Sequence, residues 1–471
     1  VNGALPACAA AAAGVLLWTG FAAEPSLPRA RGYRGIWYFN QPTKDEHVYK
    51  YSGGFATYPQ QHAPIAVYAK QAHKTFFVYG GTTAEKPDDR QVLLHMVSYY
   101  DHRTGTVPRP VVLLNKQTED AHDNPTLSID EHGYLYIFSN AHGTTRPAFV
   151  HRSRRPYSVD AFDRLLETNF SYSQPWRLGS REFLFLHTRY RDGGRTLFFM
   201  RGRDGKTWSE PEPLARIEQG DYQISWAAGE RIATAFDMHP LTAGEAGLNY
   251  RTNLYYLETR DAGRSWKTAA GQQVQLPLTS PENDALVRNY RAEKKLVYLK
   301  DLQFDRAGRP VLLYLTAVSY RPGPAGGPRE WYVARWDGTA WRFHPITTSD
   351  HAYDHGSLYI EGTRWRVLAP FEPGPQPWAT GGDLAVWEST DEGRTWKKLR
   401  QLTHRSSTNH TYVRRPVNAH PEFAAIWADG DPLRPSASAL YFTDGEFRHV
   451  WRLPVQMSGE TAKPERITRQ P

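Results

Sequence analysis

The chain has almost no cysteine, little methionine and hardly any helical patterning. Of its 471 residues, one is cysteine and four are methionine. The cysteine, Cys8, lies in a leader-like N-terminal segment. The remainder can therefore form no disulfide, hold no zinc–thiolate site and supply no cysteine nucleophile. Stability must come from a buried core, which a chain of this length can build. Helical spacing is confined to one short stretch, Val159-Asp-Ala-Phe-Asp-Arg-Leu-Leu166. The only strongly apolar segment is Ala9-Ala-Ala-Ala-Ala-Gly-Val-Leu-Leu-Trp18 with Gly20-Phe-Ala-Ala23. It reads as a secretory signal peptide over residues 1–23, not as a membrane span. The expectation is a periplasmic or secreted protein whose mature chain, residues 24–471, is a single domain.

Lys and Arg together outnumber Asp and Glu by 57 to 49, and 13% of residues are aromatic. The basic residues are scattered, and no nucleic-acid motif accompanies them. An acidic glycan suits this surface better. Cationic side chains attract uronates, and aromatic faces stack on sugar rings.

Four phrases end alike. Ser389-Thr-Asp-Glu-Gly-Arg-Thr-Trp396 and Thr259-Arg-Asp-Ala-Gly-Arg-Ser-Trp266 fit the Asp-box pattern Ser/Thr-x-Asp-x-Gly-x-Ser/Thr-Trp. Gly202-Arg-Asp-Gly-Lys-Thr-Trp208 and Arg335-Trp-Asp-Gly-Thr-Ala-Trp341 are degenerate copies. Each is a turn in which Asp bonds the backbone, Gly takes the unusual dihedrals and Trp packs between sheets. The closing tryptophans are 58, 75 and 55 residues apart. Recurrence at this period predicts an all-β fold, a β-propeller of about six to eight four-stranded blades.

The motifs that carry chemistry are Asp120-Ala-His-Asp-Asn-Pro125 and Asn140-Ala-His-Gly143. Strand-like segments follow the first and precede the second, with a turn, Asp130-Glu-His-Gly133, between them. A hairpin there brings His122 and His142 to one sheet edge. Two imidazoles at one rim suit proton transfer or metal binding. His239, His410 and His420 stand beside Pro or Asn in turn-like contexts, as candidates to share a structural metal ion of unassigned identity.

Tyr33-Arg-Gly-Ile-Trp-Tyr38, Tyr49-Lys-Tyr-Ser-Gly-Gly54, Lys74-Thr-Phe-Phe-Val-Tyr-Gly-Gly81, the first histidine motif, Tyr222-Gln-Ile-Ser225 and Arg414-Arg-Pro-Val-Asn-Ala-His-Pro421 together resemble the bacterial-neuraminidase-repeat propellers that cut polysaccharides. That group includes propeller ulvan lyases, rhamnose–glucuronate lyases and α-L-rhamnosidases. The resemblance favours seven blades and an acidic rhamnose-containing glycan as partner, with no cofactor required. It implies two readings of the site. In a lyase, His122, His142 and Tyr222 match the family's histidines and tyrosine, but Met238 stands where its carboxylate-neutralising arginine is expected. Arg251 or Arg146 then has to bind the substrate carboxylate. In a hydrolase similar to the rhamnosidases, His47 is the general base, on the face opposite the lyase site. His47 and Met238 together favour the rhamnosidase-like hydrolase; a polysaccharide lyase is the alternative, and a non-catalytic glycan-binding propeller the second. A sialidase is not favoured, because its arginine triad cannot be assigned.

Overall fold

A computed structural model describes residues 26–54, 61–178, 182–191, 193–242 and 244–467; the expected leader, 1–23, lies outside them. The described chain is all-β, with only short 3-10 turns between strands. Five antiparallel sheets have four strands each. Their first strands are Ala66–Ala69, Pro125–Ile129, Ser171–Leu178, Gln223–Ala228 and Leu296–Phe304. A nine-stranded sheet holds two further groups of four, which begin at Ser357–Glu361 and Asn409–Arg414 and meet through a single pairing of Gly382 with His410. The architecture is thus a series of four-stranded antiparallel sheets in a propeller-like arrangement.

The first strands of different sheets are bonded to one another. Leu127 N–H donates to Pro64 O at 2.8 Å, and Leu358 N–H to Asp301 Oδ2 at 2.8 Å. Between the first sheet and the last, Tyr68 N–H donates to Val417 O and Val417 N–H to Ala66 O, both at 2.9 Å. Second strands such as Lys74–Thr82 and Pro310–Ala317 are buried along almost their whole length. Their middles, residues 76–79 and 311–315, are accordingly continuous apolar runs rather than alternating ones.

The Asp boxes behave as expected. Asp261 accepts from Ser265 N–H at 2.9 Å and Ser265 Oγ at 2.6 Å, Gly263 takes φ +82°, and Trp266 is buried. Asp391 makes the matching bonds to Thr395, at 3.0 and 2.7 Å. Both boxes follow a third strand, Thr252–Thr259 or Gly382–Ser389. The helical expectation for residues 159–166 is corrected: Phe162–Thr168 is an edge strand paired with Ala148–Ser153. Eight residues are too few to separate the two periods, and the open sheet edge decides.

Candidate functional site

In an antiparallel four-stranded sheet, the start of the first strand and the loop between the second and third strands lie at the same end. The first histidine motif occupies one of these positions in the second sheet, and the second motif the other. Asp120 caps the 3-10 turn Ala121–Asp123, its carboxylate accepting the His122 N–H at 3.0 Å. Pro125, restricted to an extended-compatible φ, then opens the strand that pairs with Leu135–Ser139. Gly80 lets the turn sit this deep, since a Cβ there would fall 2.1 Å from Asn124 Oδ1. The return loop is pinned by His142 N–H donating to Asp123 Oδ1 at 2.6 Å. The two imidazoles stack, 4.2 Å between centroids and 18° between planes.

Asp120 joins them. Its Oδ1 lies 2.6 Å from His122 Nδ1, and its Oδ2 lies 2.8 Å from His142 Nδ1. Arg146 closes the base of the site, with Nη2 3.0 Å from Asp120 Oδ2 and Nε 2.9 Å from Asp123 Oδ2. Burial works against an ionised Asp120, but the two imidazoles hold its carboxyl far below the usual range. Burial also pushes His122 below the ordinary histidine value, against the pull of Asp120. With Nδ1–H directed at Asp120, a neutral imidazole keeps its Nε2 lone pair. That of His122, whose side chain is 3% exposed, meets the Tyr51 hydroxyl at 3.0 Å. The His142 side chain is 30% exposed.

Two further elements complete the site. The hairpin of Trp37–Pro42 and Tyr49–Gly54 brings Tyr51 and also Tyr38, whose hydroxyl is 3.1 Å from His122 Nδ1. In the third sheet, the adjoining ends of Glu182–Arg191 and Gly194–Gly202 carry Tyr190 and Arg195. The Tyr190 ring is 5.4 Å from that of His142, and its hydroxyl is 3.4 Å from Arg195 Nε and 3.2 Å from the Tyr172 hydroxyl. Arg195 lies 4.7 Å from the Tyr222 ring. Its Nη1 is buried without a hydrogen-bond partner among the described residues. Burial opposes the charge of Arg195, yet Tyr222, Tyr190 and Tyr172 around it hold it above the usual arginine value.

His122, His142 and Tyr222 thus belong to one constellation. Arg251 lies below Tyr222, 4.8 Å from its ring, nearly fully buried and donating to the Tyr353 hydroxyl at 3.0 Å. Arg146 is committed to Asp120 and Asp123. Met238 faces a core cluster with Phe236 and Tyr255. Sequence reasoning missed Tyr51, Tyr190 and Arg195. The last two had a local signal, since they flank Arg191-Asp-Gly-Gly194, a strong turn between strand-like runs. His239, His410 and His420 do not come together. His239 bonds Gly220 O, His410 lies between Ser406 and Trp427, and His420 packs against His102.

His47 is placed differently from the expectation. It sits in the turn of the Tyr51 hairpin, packed so closely on Gly323 that a Cβ there would fall 2.2 Å from its Nε2. Gly323 belongs to a loop between second and third strands, Pro310–Ala317 and Arg329–Trp336. His47 therefore lies at the same end as His122 and His142, not on an opposite face. The carboxylate nearest its ring, Glu46, is 3.7 Å away and exposed.

Residues 95–349 match the model of the BNR repeat-containing family, and the chain belongs to that family. It is similar to an ulvan lyase of Pseudoalteromonas sp. (strain PLSV), 24% identical over 319 residues that span 59% of this chain and 64% of the relative. It is also similar to an ulvan lyase of Alteromonas sp. (strain LOR), 23% identical over 66% of this chain and 69% of the relative. A solved polysaccharide lyase, an ulvan lyase bound to -[GlcA(1-4)Rha3S]-, shares the fold with a TM-score of 0.70, at 15% identity over 89% of this chain and 96% of that one. These likenesses overturn the rhamnosidase-like hydrolase expected from His47 and Met238. The curated relatives and the well-superposing structures are lyases, none a glycoside hydrolase. Arg195, on a neighbouring sheet, also brings to the site an arginine that Met238 does not supply. Among the described residues no helix is long and apolar enough to cross a membrane.

Proposed function

We propose that this protein is a polysaccharide lyase that cleaves an acidic glycan, in which a uronic acid is joined to rhamnose, by β-elimination. The observation that carries the reading is the Asp120-linked imidazole pair set beside Tyr190 and Arg195. Elimination removes the weakly acidic C5 proton of the uronate, so the neighbouring carboxylate must be neutralised and a base placed at C5. Arg195, with an unpartnered buried nitrogen, takes the carboxylate. His142 is the base: Asp120 holds its Nδ1–H, which leaves Nε2 to accept the proton. Tyr51 fixes the second imidazole, His122, behind it. Tyr190 touches both the base and the arginine, so its hydroxyl is the acid that protonates the departing O4. The C4–O4 bond breaks as the C4–C5 double bond forms. Tyr172 and Tyr222 wall the sugar, and Arg251 supports Tyr222 from below.

The same reading takes residues 24–471 as one seven-bladed propeller. The seven groups of four strands and the Val417 bonds between the last sheet and the first support closure. A polymeric glycan and the leader-like residues 1–23 both fit action outside the cytoplasm. The test is incubation with ulvan while following the ultraviolet absorbance of an unsaturated uronate. Product should accumulate with the wild type and fall by about a hundredfold or more with His142→Ala. Binding without any product would make the protein a lectin.

A further inference from the structure

A second cluster lies at the other end of the sheets and is untouched by the chemistry above. His102 directly follows the third strand of the first sheet, Leu93–Asp101. His420 and Glu422 lie in the turn between the first two strands of the last, Asn409–Arg414 and Ala425–Gly430. The imidazoles are 3.8 Å apart. Glu422 Oε2 is 3.0 Å from His102 Nδ1 and 3.9 Å from His420 Nδ1. We infer that His102, His420 and Glu422 form a binding site for a divalent transition-metal ion, zinc foremost, that ties the first sheet to the last.

Four observations converge. One donor atom from each residue lies within 4.8 Å of the others. Tetrahedral zinc, with bonds of about 2.1 Å, needs its ligand atoms roughly 3.4 Å apart, so closure takes shifts of about an ångström. His102 Nε2 lies 2.8 Å from Oγ1 of the buried Thr75. Thr75 Oγ1 can accept an Nε2–H, the kind of outer bond that leaves Nδ1 to serve as the ligand atom. His420 Nδ1 accepts the Glu422 N–H at 3.2 Å, which marks a lone pair on that nitrogen. Tyr68 and Tyr100 wall the His102 ring at 5.3 and 4.9 Å, while Glu422 remains exposed as the way in.

The ion would cross-link residues far apart in sequence beside the Tyr68–Val417 bonds, where the first and last sheets meet. The site does not depend on the lyase reading. The test takes the full chain, stripped with a chelator and titrated calorimetrically with zinc chloride, alongside thermal unfolding. One saturable zinc site that raises the melting temperature by a few degrees is expected, because a ligand bound only by the folded state stabilises it. His102→Ala and His420→Ala should abolish both effects, whereas Asp120→Asn should leave them. Should either alanine variant fold poorly, the exposed Glu422→Gln should still fold and weaken binding by about tenfold or more. Zinc binding of wild-type affinity in Glu422→Gln, or no zinc-dependent stabilisation of the wild type, would overturn the assignment.

Discussion

Two histidine pairs, each beside a carboxylate and set at opposite ends of the sheets, are built for different work. His122 and His142 share Asp120, which is 23% exposed and bonded to Arg146. His102 and His420 share Glu422, which is 57% exposed and, among the described residues, paired with no arginine. Arg146 holds the first carboxylate, which keeps Asp120 facing both Nδ1 atoms. The second carboxylate has no such cation and can close around a metal. The residue types alone do not separate a proton-transfer site from a metal site; the arginine does.

That contrast is broken most easily at the first pair. Arg195→Ala should lower kcat/KM by about a hundredfold to a thousandfold, the scale of losing a group that stabilises charge in the transition state. The loss should persist at saturating substrate, and an unchanged kcat would mean that another arginine neutralises the uronate. Asp120→Asn should cost roughly tenfold to a hundredfold, since it frees both rings from their fixed tautomer. His102→Ala should leave turnover within about a factor of two while removing the zinc response. Asp391→Ala, in an Asp box at the metal end, should cost about 1 kcal/mol in urea unfolding and leave KM unchanged.

The smallest effect is one of pH. Burial lowers His122, His95, His187 and His239 below the ordinary histidine value. On acidification through about pH 6.5, the unfolded chain takes up protons that these folded groups refuse. Stability should therefore be full above that pH and decline below it, with a lower urea midpoint at pH 5.5 than at pH 8. A higher midpoint at pH 5.5 would show that buried acids such as Asp237, which burial pushes up to about 7, dominate instead.

Much of this was legible in the residues. The Asp boxes foretold all-β sheets because their turn chemistry is local, and the two histidine motifs foretold their own meeting because one hairpin joins them. Arg195 was hidden because its reach depends on how the third sheet stands beside the second. Tyr51 was hidden because its hairpin is far from His122 in sequence. His47 misled for the same reason: a turn residue carries no mark of the end of the molecule to which its hairpin folds. The pairing of His102 with His420 follows only from the meeting of the first and last sheets.

The central claim is elimination at the His142 end, and the mass of the products tests it most directly. A uronate–rhamnose oligosaccharide cut in water enriched with heavy oxygen should give two fragments whose masses sum to that of the substrate. One should end in an unsaturated uronate, and neither should carry the heavy isotope. Fragments heavier by one water, with heavy oxygen at the new reducing end, would mean hydrolysis and would contradict the assignment of His142, Tyr190 and Arg195.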